Sequence, residues 1–130
     1  MPQNWLAFNP TCHHKNPKLM ELAEKFVSTE FNSRYYLWMF CLWGHSYEFD
    51  EDNNWEVIER FAEFVGGRDD IWYATNIEIY DYVNAYKNLQ ISVDKRIIHN
   101  PSDIDVWIYD DKETFVIKAG ETLYRDLQEG

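Results

Sequence analysis

The most apolar part of the chain reads Tyr35-Tyr36-Leu37-Trp38-Met39-Phe40-Cys41-Leu42-Trp43. Its apolar residues do not alternate with polar ones. A continuous, aromatic-rich run of this length is typical of a strand that is covered on both faces, as in a parallel sheet. The run ends at Gly44-His45. We therefore expect a central, buried strand over residues 35–43, with a histidine just past its C-terminal end.

A strand–helix unit precedes this predicted strand. The segment from Trp5 to Thr11 is extended in character, and residues 5–8 should form the open edge of the sheet. Asn16-Pro17 then supplies an N-cap residue and a first-turn proline, which begin a helix. Apolar residues at helical spacing predict that this helix continues to about Val27.

Two more helices follow the predicted strand. The first begins in the Asn-x-x-Glu pattern of residues 53–56 and ends at Gly66-Gly67. A short apolar strand, Ile71 to Ala74, then leads into the capping box of residues 75–78, which opens a helix towards Asn88. The chain thus contains about three strand–helix units with parallel strands. Closure of a barrel takes about eight strands, so an open α/β layer is expected.

From Leu89 onward the hydrophobic period changes to two. Apolar residues alternate with polar ones at Ile91/Val93, Ile104/Val106/Ile108 and Phe115/Ile117. Turn-forming residues separate these runs at 94–95, 100–102, 110–112 and 119–120. We therefore expect two parts, a strand–helix layer over residues 1–89 and a small antiparallel β appendage over residues 90–130.

Charge and composition exclude several classes of function. The 130 residues include 23 acidic and 12 basic side chains, which give a formal net charge of −11. Such a surface repels phosphate backbones and anionic lipids, so neither a nucleic-acid partner nor a membrane partner is expected. The chain shows no secretory signal, and its longest apolar run is too short to span a bilayer as a helix. Two cysteines make no disulfide framework, and the chain is predicted to be soluble and cytoplasmic.

His45 is the principal candidate for a catalytic residue. A histidine just past the C-terminal end of a buried parallel strand lies where α/β barrels place catalytic groups. Gly44 permits close backbone approach or an unusual dihedral angle. The alternative is a histidine that only hydrogen-bonds at a strand end, and position alone leaves both interpretations open. The aromatic neighbours Trp43 and Tyr47 are candidates for stacking on a sugar ring, whereas tryptophans inside predicted strands are expected to pack in the core.

Several segments carry a resemblance to a known family. They are residues 43–49 (Trp-Gly-His-Ser-Tyr-Glu-Phe), 53–55 (Asn-Asn-Trp), 70–80, 10–14 (Pro-Thr-Cys-His-His), 16–19, 100–102 and 106–107. Taken in order, from about Trp5 to Thr122, they resemble the closing part of bacterial polysaccharide deacetylases of the NodB-like family, the carbohydrate esterase family 4 type. The resemblance covers nearly the whole chain.

The resemblance implies a fold and an activity. Members of the family are distorted, partly open (β/α) barrels that hydrolyse N-acetyl, sometimes O-acetyl, groups on sugar polymers with one divalent metal. The implied fold here is a partial (β/α) barrel of NodB-like type with the β appendage. The family's late-strand histidine, a general acid that protonates the leaving amine, falls on His45. Trp43, Tyr47, His13 and His14 are the implied substrate-binding residues.

The departures from the family are large. No Asp-Asp-Gly-like motif and no His-x-x-x-His pair occurs in the sequence. Asp69-Asp70 precedes the short predicted strand 71–74 and Asp110-Asp111 lies in a predicted β turn, so neither pair matches the family's aspartate pair. We therefore expect the metal and the general base in an N-terminal half that this chain lacks. The chain would then be the C-terminal portion of a deacetylase that is inactive alone. The alternatives are a non-catalytic carbohydrate-binding or interaction protein and a complementing subunit of a split deacetylase.

The expected partners and cofactors follow from this resemblance. The partners are an acetylated sugar polymer or oligosaccharide, together with the N-terminal half or a second copy in a homodimer. No metal is expected in this chain. A divalent metal of the zinc type is expected only together with the missing N-terminal half. His13 and His14 are adjacent, so on an extended chain they should point to opposite sides and not share an ion. Cys12, His14 and His45 form an alternative set of three zinc ligands. The Cys12-His13-His14 segment has two other interpretations, as lining of the active site and as structure at the end of a strand.

Overall fold

The computed structural model of the chain describes residues 2–28, 38–110 and 113–126. The helices are Leu19–Val27 (α1), Tyr47–Asp52 (α2), Glu56–Val65 (α3) and Asn76–Lys87 (α4). The strands are Cys12–His13 (β1), Leu42–Trp43 (β2), Gln90–Ile91 (β3), Ile97–His99 (β4), Val106–Asp110 (β5), Glu113–Ile117 (β6) and Thr122–Tyr124 (β7). Two compact units result, Met1–Trp72 and Tyr73–Gly130. None of the helices in the described ranges is long and apolar enough to cross a membrane.

The first unit is organised by a short parallel strand pair. Cys12 of β1 lies opposite Leu42 of β2, and His13 lies opposite Trp43. The pairing extends towards the N-terminal side, where the Thr11 amide donates to the Cys41 carbonyl over 2.8 Å. The helix α1 connects the two strands, as the strand–helix pattern predicts for parallel neighbours. Parallel pairing is therefore confirmed for these two strands, whereas a partial (β/α) barrel stays a prediction.

The core of the first unit lies between the strand pair and two helices. Its buried residues are Cys12, Leu19, Ala23 and Phe61, from β1, α1 and α3. The helices α1 and α3 pack on each other because each has apolar residues at helical spacing along one side. The predicted C-terminal ends of both helices are confirmed, since α1 ends at Val27 and α3 ends before Gly66.

The prediction of a strand covered on both faces is wrong for the described part of residues 35–43. Residues 35–37 lie outside the described residues, and only Leu42–Trp43 forms a strand. Phe40 and Leu42 pack on the core, but Trp38 and Trp43 are each about half exposed. The physical reason is that β1 is the only strand paired with β2 among the described residues, so β2 belongs to a two-stranded sheet and is not the centre of a larger one. A long apolar run alone does not reveal how many faces are covered.

Two other predicted strands are not strands. Residues 5–8, the predicted edge strand, form a turn in which the Asn4 side chain accepts the Leu6 amide and its carbonyl accepts the Ala7 amide. The first strand begins instead at Cys12, beyond Pro10. Residues 71–74 are also irregular. At residues 5–8 the local turn bonds satisfy backbone groups that a sheet would otherwise pair.

The second unit combines α4 with two antiparallel sheets. The strand order is β3-β4-β7 in one sheet, and β5 pairs with β6 in the other. These pairings confirm the antiparallel strands predicted after residue 89. The helix α4 packs on β5, and the Trp107 amide donates to the Tyr82 hydroxyl over 3.0 Å. The division between the compact units therefore lies one helix earlier than the predicted boundary after residue 89.

Replacing the helix-capping threonine should destabilise the second unit. The Thr75 hydroxyl accepts the Glu78 amide, and the Glu78 carboxylate accepts the Thr75 amide over 2.6 Å, which confirms the predicted capping box. We expect Thr75→Ala to lower the free energy of unfolding of this unit by about 0.5–2 kcal/mol. Thr75→Ser keeps the hydroxyl and is the matched control. Urea denaturation with hydrogen exchange of the α4 amides measures both, and equal losses would contradict the capping role.

Candidate functional site

The parallel strand pair brings two histidine-containing segments together at its C-terminal end. His13 ends β1 and Trp43 ends β2, and the His14 amide donates to the Trp43 carbonyl over 3.0 Å. His14 therefore lies beside Gly44, and His45 follows immediately. This is the edge at which parallel α/β sheets place their functional side chains. The expected position of His45, just past a parallel strand, is confirmed.

The His45 ring lies between two aromatic side chains. It stacks on Tyr47 with ring centroids 5.2 Å apart and planes 16° apart, and it meets Trp43 edge-on at 6.1 Å. Tyr47 is 57% exposed and Trp43 is 49% exposed. The three rings together form an aromatic surface, which we call the His45 aromatic cluster. Such rings can pack on the apolar face of a sugar.

His14 is buried next to His13 and Gly44. Its side chain is 2% exposed and lies against Phe49, with ring centroids 4.2 Å apart, and against the backbone of Gly44. A Cβ atom built on Gly44 would lie 1.9 Å from Nδ1 of His14, so only glycine fits this contact. The position of His14 leaves no open face for a sugar, in contrast to the predicted substrate contact. His13 is partly exposed and its ring packs edge-on against Trp43 at 4.5 Å.

The expectation that His13 and His14 point to opposite sides is wrong. Their ring centroids are 4.3 Å apart and their planes are tilted by 34°. The strand ends at His13, and a turn follows in which the Asn16 amide donates to the His13 carbonyl over 2.9 Å. Alternation of side chains holds only within a strand, so the turn brings the two rings to one side.

Glu48 joins both histidines to the start of α2. Its Oε2 accepts the His45 amide over 3.0 Å and lies 3.3 Å from Nε2 of His13 and 3.9 Å from Nε2 of His14. Burial opposes ionisation of this carboxyl group, but the His45 amide and Lys15 outweigh it and lower the pKa of Glu48. The carboxylate is therefore charged near neutral pH and faces two imidazole rings.

Lys15 balances part of the negative charge at this point. Its Nζ lies 3.1 Å from Oε1 of Glu48 and 2.8 Å from Oδ2 of Asp52. The hydrogen bond to Asp52, followed by that to Glu48, raises the pKa of Lys15. The Lys15 amide also donates to Nδ1 of His13 over 3.1 Å. This backbone bond places the proton of neutral His13 on Nε2, the nitrogen that faces Glu48.

The pKa of the buried His14 ring shifts in the opposite direction to that of Lys15. Burial, followed by the neighbouring His13, lowers the pKa of His14, although Glu48 acts in the other direction. The ring is therefore neutral near pH 7. Both of its nitrogens are buried and have no hydrogen-bond partner within the described ranges of the chain.

The proposed Cys12, His14 and His45 ligand set does not assemble. Cys12 points into the core with Leu19, Ala23 and Phe61, and burial raises the pKa of its thiol. His45 faces the aromatic surface instead. The group that the structure assembles is His13, His14 and Glu48, whose donor atoms all lie within 4.8 Å of one another.

Sequence reasoning missed Glu48 as a functional candidate. Residues 47–52 are a short helix in the segment that reads as an acidic loop. The signal was present, because Glu48 follows His45 by three residues and a glutamate at this spacing can accept the amide at a helix start. That contact turns the carboxylate back towards His13 and His14.

A separate cleft lies on the N-terminal side of the strand pair. It has a volume of about 550 Å³ and is lined by residues 2–4, 7–9 and 11 together with Trp38, Met39 and Cys41. None of the predicted site residues lines it. The candidate site is therefore the surface at the C-terminal end of β1 and β2. No family model matches the chain, and no curated protein or solved structure shows detectable similarity to it.

Proposed function

We propose that this chain is the C-terminal portion of a polysaccharide deacetylase in which His45 is the general acid. The observation that carries the proposal is the solvent-exposed His45 ring between Trp43 and Tyr47, past the end of a parallel strand. The substrate class is an acetylated sugar polymer or oligosaccharide. Its N-acetyl group, or an O-acetyl group, is the bond that the complete enzyme hydrolyses.

The chemistry assigned to His45 is proton donation. When the C–N bond of a tetrahedral intermediate breaks, the departing nitrogen needs a proton to leave as an amine. An imidazolium can supply that proton near neutral pH, and the neutral imidazole that remains is recharged from solvent. The flanking aromatic rings are suited to hold the sugar ring, while the Glu48 bond to the His45 amide orients the backbone.

The remaining machinery is assigned to a partner chain or segment. The sequence holds no Asp-Asp-Gly-like motif and no His-x-x-x-His pair, which supply the metal ligands and the base in the family it resembles. We infer that the cytoplasmic chain works together with an N-terminal deacetylase half, either as part of one protein or as a complementing subunit. A homodimer is the other assembly in this proposal.

The isolated chain should release no acetate from chitin oligosaccharides or acetylated peptidoglycan. The reason is that the sequence lacks the Asp-Asp-Gly-like motif and the His-x-x-x-His pair, which supply the metal-activated water and the general base in the family it resembles. Acetate release is measured by a coupled assay with and without a chelator. Turnover that the chelator abolishes would show that the chain carries a complete catalytic site.

The same chain should nevertheless bind chitin oligosaccharides through the His45 aromatic cluster. We expect Trp43→Ala to weaken binding about fivefold, since loss of one stacking ring removes about 1 kcal/mol. Trp107→Ala is the matched control, because Trp107 is similarly exposed at 57% but lies in the second unit. Titration by nuclear magnetic resonance measures both affinities. Equal weakening by the two variants would contradict this surface as the sugar site.

The alternative function is a non-catalytic carbohydrate-binding or interaction protein. The same exposed aromatic rings support it, and the absence of the family's ligand motifs from the sequence favours it. The two functions differ in what they require of His45. A binding protein needs only the ring surface, so His45→Phe should retain sugar binding, whereas a deacetylase needs the proton.

A further inference from the structure

The buried His14 ring lacks hydrogen-bond partners. Its side chain is 2% exposed, and neither Nδ1 nor Nε2 has a partner among the described residues. Buried polar groups are nearly always paired, and a bound water molecule or ion is one explanation of an unpaired one. Nε2 points to the side of the ring where Glu48 lies, 3.9 Å away. A ligand between these two groups would satisfy the imidazole.

Three donor atoms surround that point. Nε2 of His13 and Nε2 of His14 both lie near Oε2 of Glu48, and the donor atoms are all within 4.8 Å of one another. A tetrahedral zinc ion with bonds of about 2.0–2.1 Å holds its ligands about 3.3 Å apart. The His13 to Glu48 distance of 3.3 Å already matches that spacing. The His14 to Glu48 distance of 3.9 Å needs only a small closure.

We propose that His13, His14 and Glu48 bind one divalent transition-metal ion of the zinc type. Two imidazole nitrogens and one carboxylate oxygen are a common zinc ligand set that leaves a fourth position open. Imidazole ligands favour zinc and its neighbours over magnesium and calcium, which prefer oxygen. This site goes beyond the proposed deacetylase function, since it lies within this chain and does not use His45.

The surroundings hold the three ligands in place. The His45 amide fixes the Glu48 carboxylate, while Gly44 and Phe49 enclose the His14 ring. Groups that orient a metal ligand in this way commonly raise affinity. The acidic residues 50–52 of α2 add negative charge nearby, which favours a cation.

Binding requires one internal rearrangement. Neutral His13 carries its proton on Nε2, because the Lys15 amide donates to Nδ1. When the ion binds Nε2, that proton moves to Nδ1, and the single hydrogen bond from the Lys15 amide is lost. No net proton is released by His13, and the ring keeps its neutral charge. Lys15 retains Asp52 as a partner for its ammonium group.

The test is calorimetric titration of the untagged, reduced chain with zinc chloride. We expect one ion per chain, and no saturable binding of magnesium. Glu48→Gln and His13→Ala should each weaken binding by about 100-fold or more, since loss of a group that only supports a ligand already costs about 10–100-fold. His14→Ala should do the same where it folds, as checked by circular dichroism. Because His13 and Glu48 are partly exposed, their variants keep the test decisive if His14→Ala fails to fold.

A fourth variant should change affinity in the opposite direction. Lys15→Met removes an ammonium group 3.1 Å from Glu48, which repels an incoming cation. We expect zinc to bind about tenfold more tightly to this variant, from the repulsion of a divalent ion at a few ångströms in water-like surroundings. Weaker or unchanged binding would mean that the ion lies elsewhere.

Matched controls separate this site from the other candidates. His99→Ala removes one imidazole from the second unit, and His45→Ala and Cys12→Ser remove the two other members of the alternative ligand set. All three should bind zinc as the unmodified chain does. Loss of binding in His45→Ala or Cys12→Ser, or an unaffected Glu48→Gln, would overturn the proposal, as would the absence of saturation. Sugar titrations in the presence of a chelator test the proposed function separately, so either can fail alone.

Discussion

Gly44→Ala should destabilise the first unit by about 2–6 kcal/mol, because no side chain fits between residue 44 and the His14 ring. The added Cβ would lie 1.9 Å from Nδ1 and 2.7 Å from Cε1 of His14, and the same ring also packs on Phe49 with ring centroids 4.2 Å apart. Gly44 also has a φ of 154°, a conformation that residues with a side chain rarely adopt. Overpacking and backbone strain therefore act together. Urea denaturation with hydrogen exchange of the α1 and α3 amides measures the loss.

Two comparisons separate the contact from the backbone conformation. Gly67 also has a positive φ, 66°, but a Cβ built there meets nothing within 4 Å. Gly67→Ala should therefore show only the conformational cost, about 1–2 kcal/mol. In a His14→Ala background, Gly44→Ala should cost about 1–3 kcal/mol less than in the unmodified chain. Equal effects of Gly44→Ala in the two backgrounds would show that the contact with His14 is not the reason for glycine at position 44.

The contact between Gly44 and the His14 ring could be predicted from the sequence only in part. Gly44-His45 after an apolar run predicted a strand end with an unusual glycine, and both features are present. The partner of that glycine could not be predicted, because His14 lies 30 residues earlier and meets Gly44 only through the register of β1 with β2. Register between parallel strands depends on tertiary packing rather than on local pattern.

The extent of β2 was harder to predict than its existence. Residues 38–41 have the composition of a buried strand, yet no strand forms there. A strand needs a neighbour to accept its backbone hydrogen bonds, and β1 offers only two residues, Cys12 and His13. By contrast, the capping box at Thr75 is specified by residues within one helical turn and was predicted correctly. The N-cap signals at Asn16 and Asn53 were not confirmed, since the N-cap residues of α1 and α3 are Lys18 and Trp55 and neither makes a side-chain cap bond. The length of a strand pairing also does not follow from one segment alone.

His45→Ala should lower the turnover number of the assembled deacetylase by about 10²–10⁴-fold. The assembled enzyme is the chain together with an N-terminal half that supplies the metal ligands and the base. Removing the imidazole leaves the departing amine without its proton donor, and the effect should therefore fall on kcat rather than on KM. The neighbouring rings Trp43 and Tyr47 remain to hold the sugar.

The measurement is single-substrate kinetics on a chitin oligosaccharide, with the variant and the unmodified chain mixed with the same N-terminal half. His99→Ala is the matched control for loss of one imidazole, since His99 bonds to Glu121 and Thr122 within the second unit. His13→Ala should have a milder effect than His45→Ala, and mainly on substrate affinity. A His45→Ala complex within about twofold of the unmodified rate would assign proton donation to another group. The His45 aromatic cluster would then be a binding surface, because its rings pack against one another without need of a transferable proton.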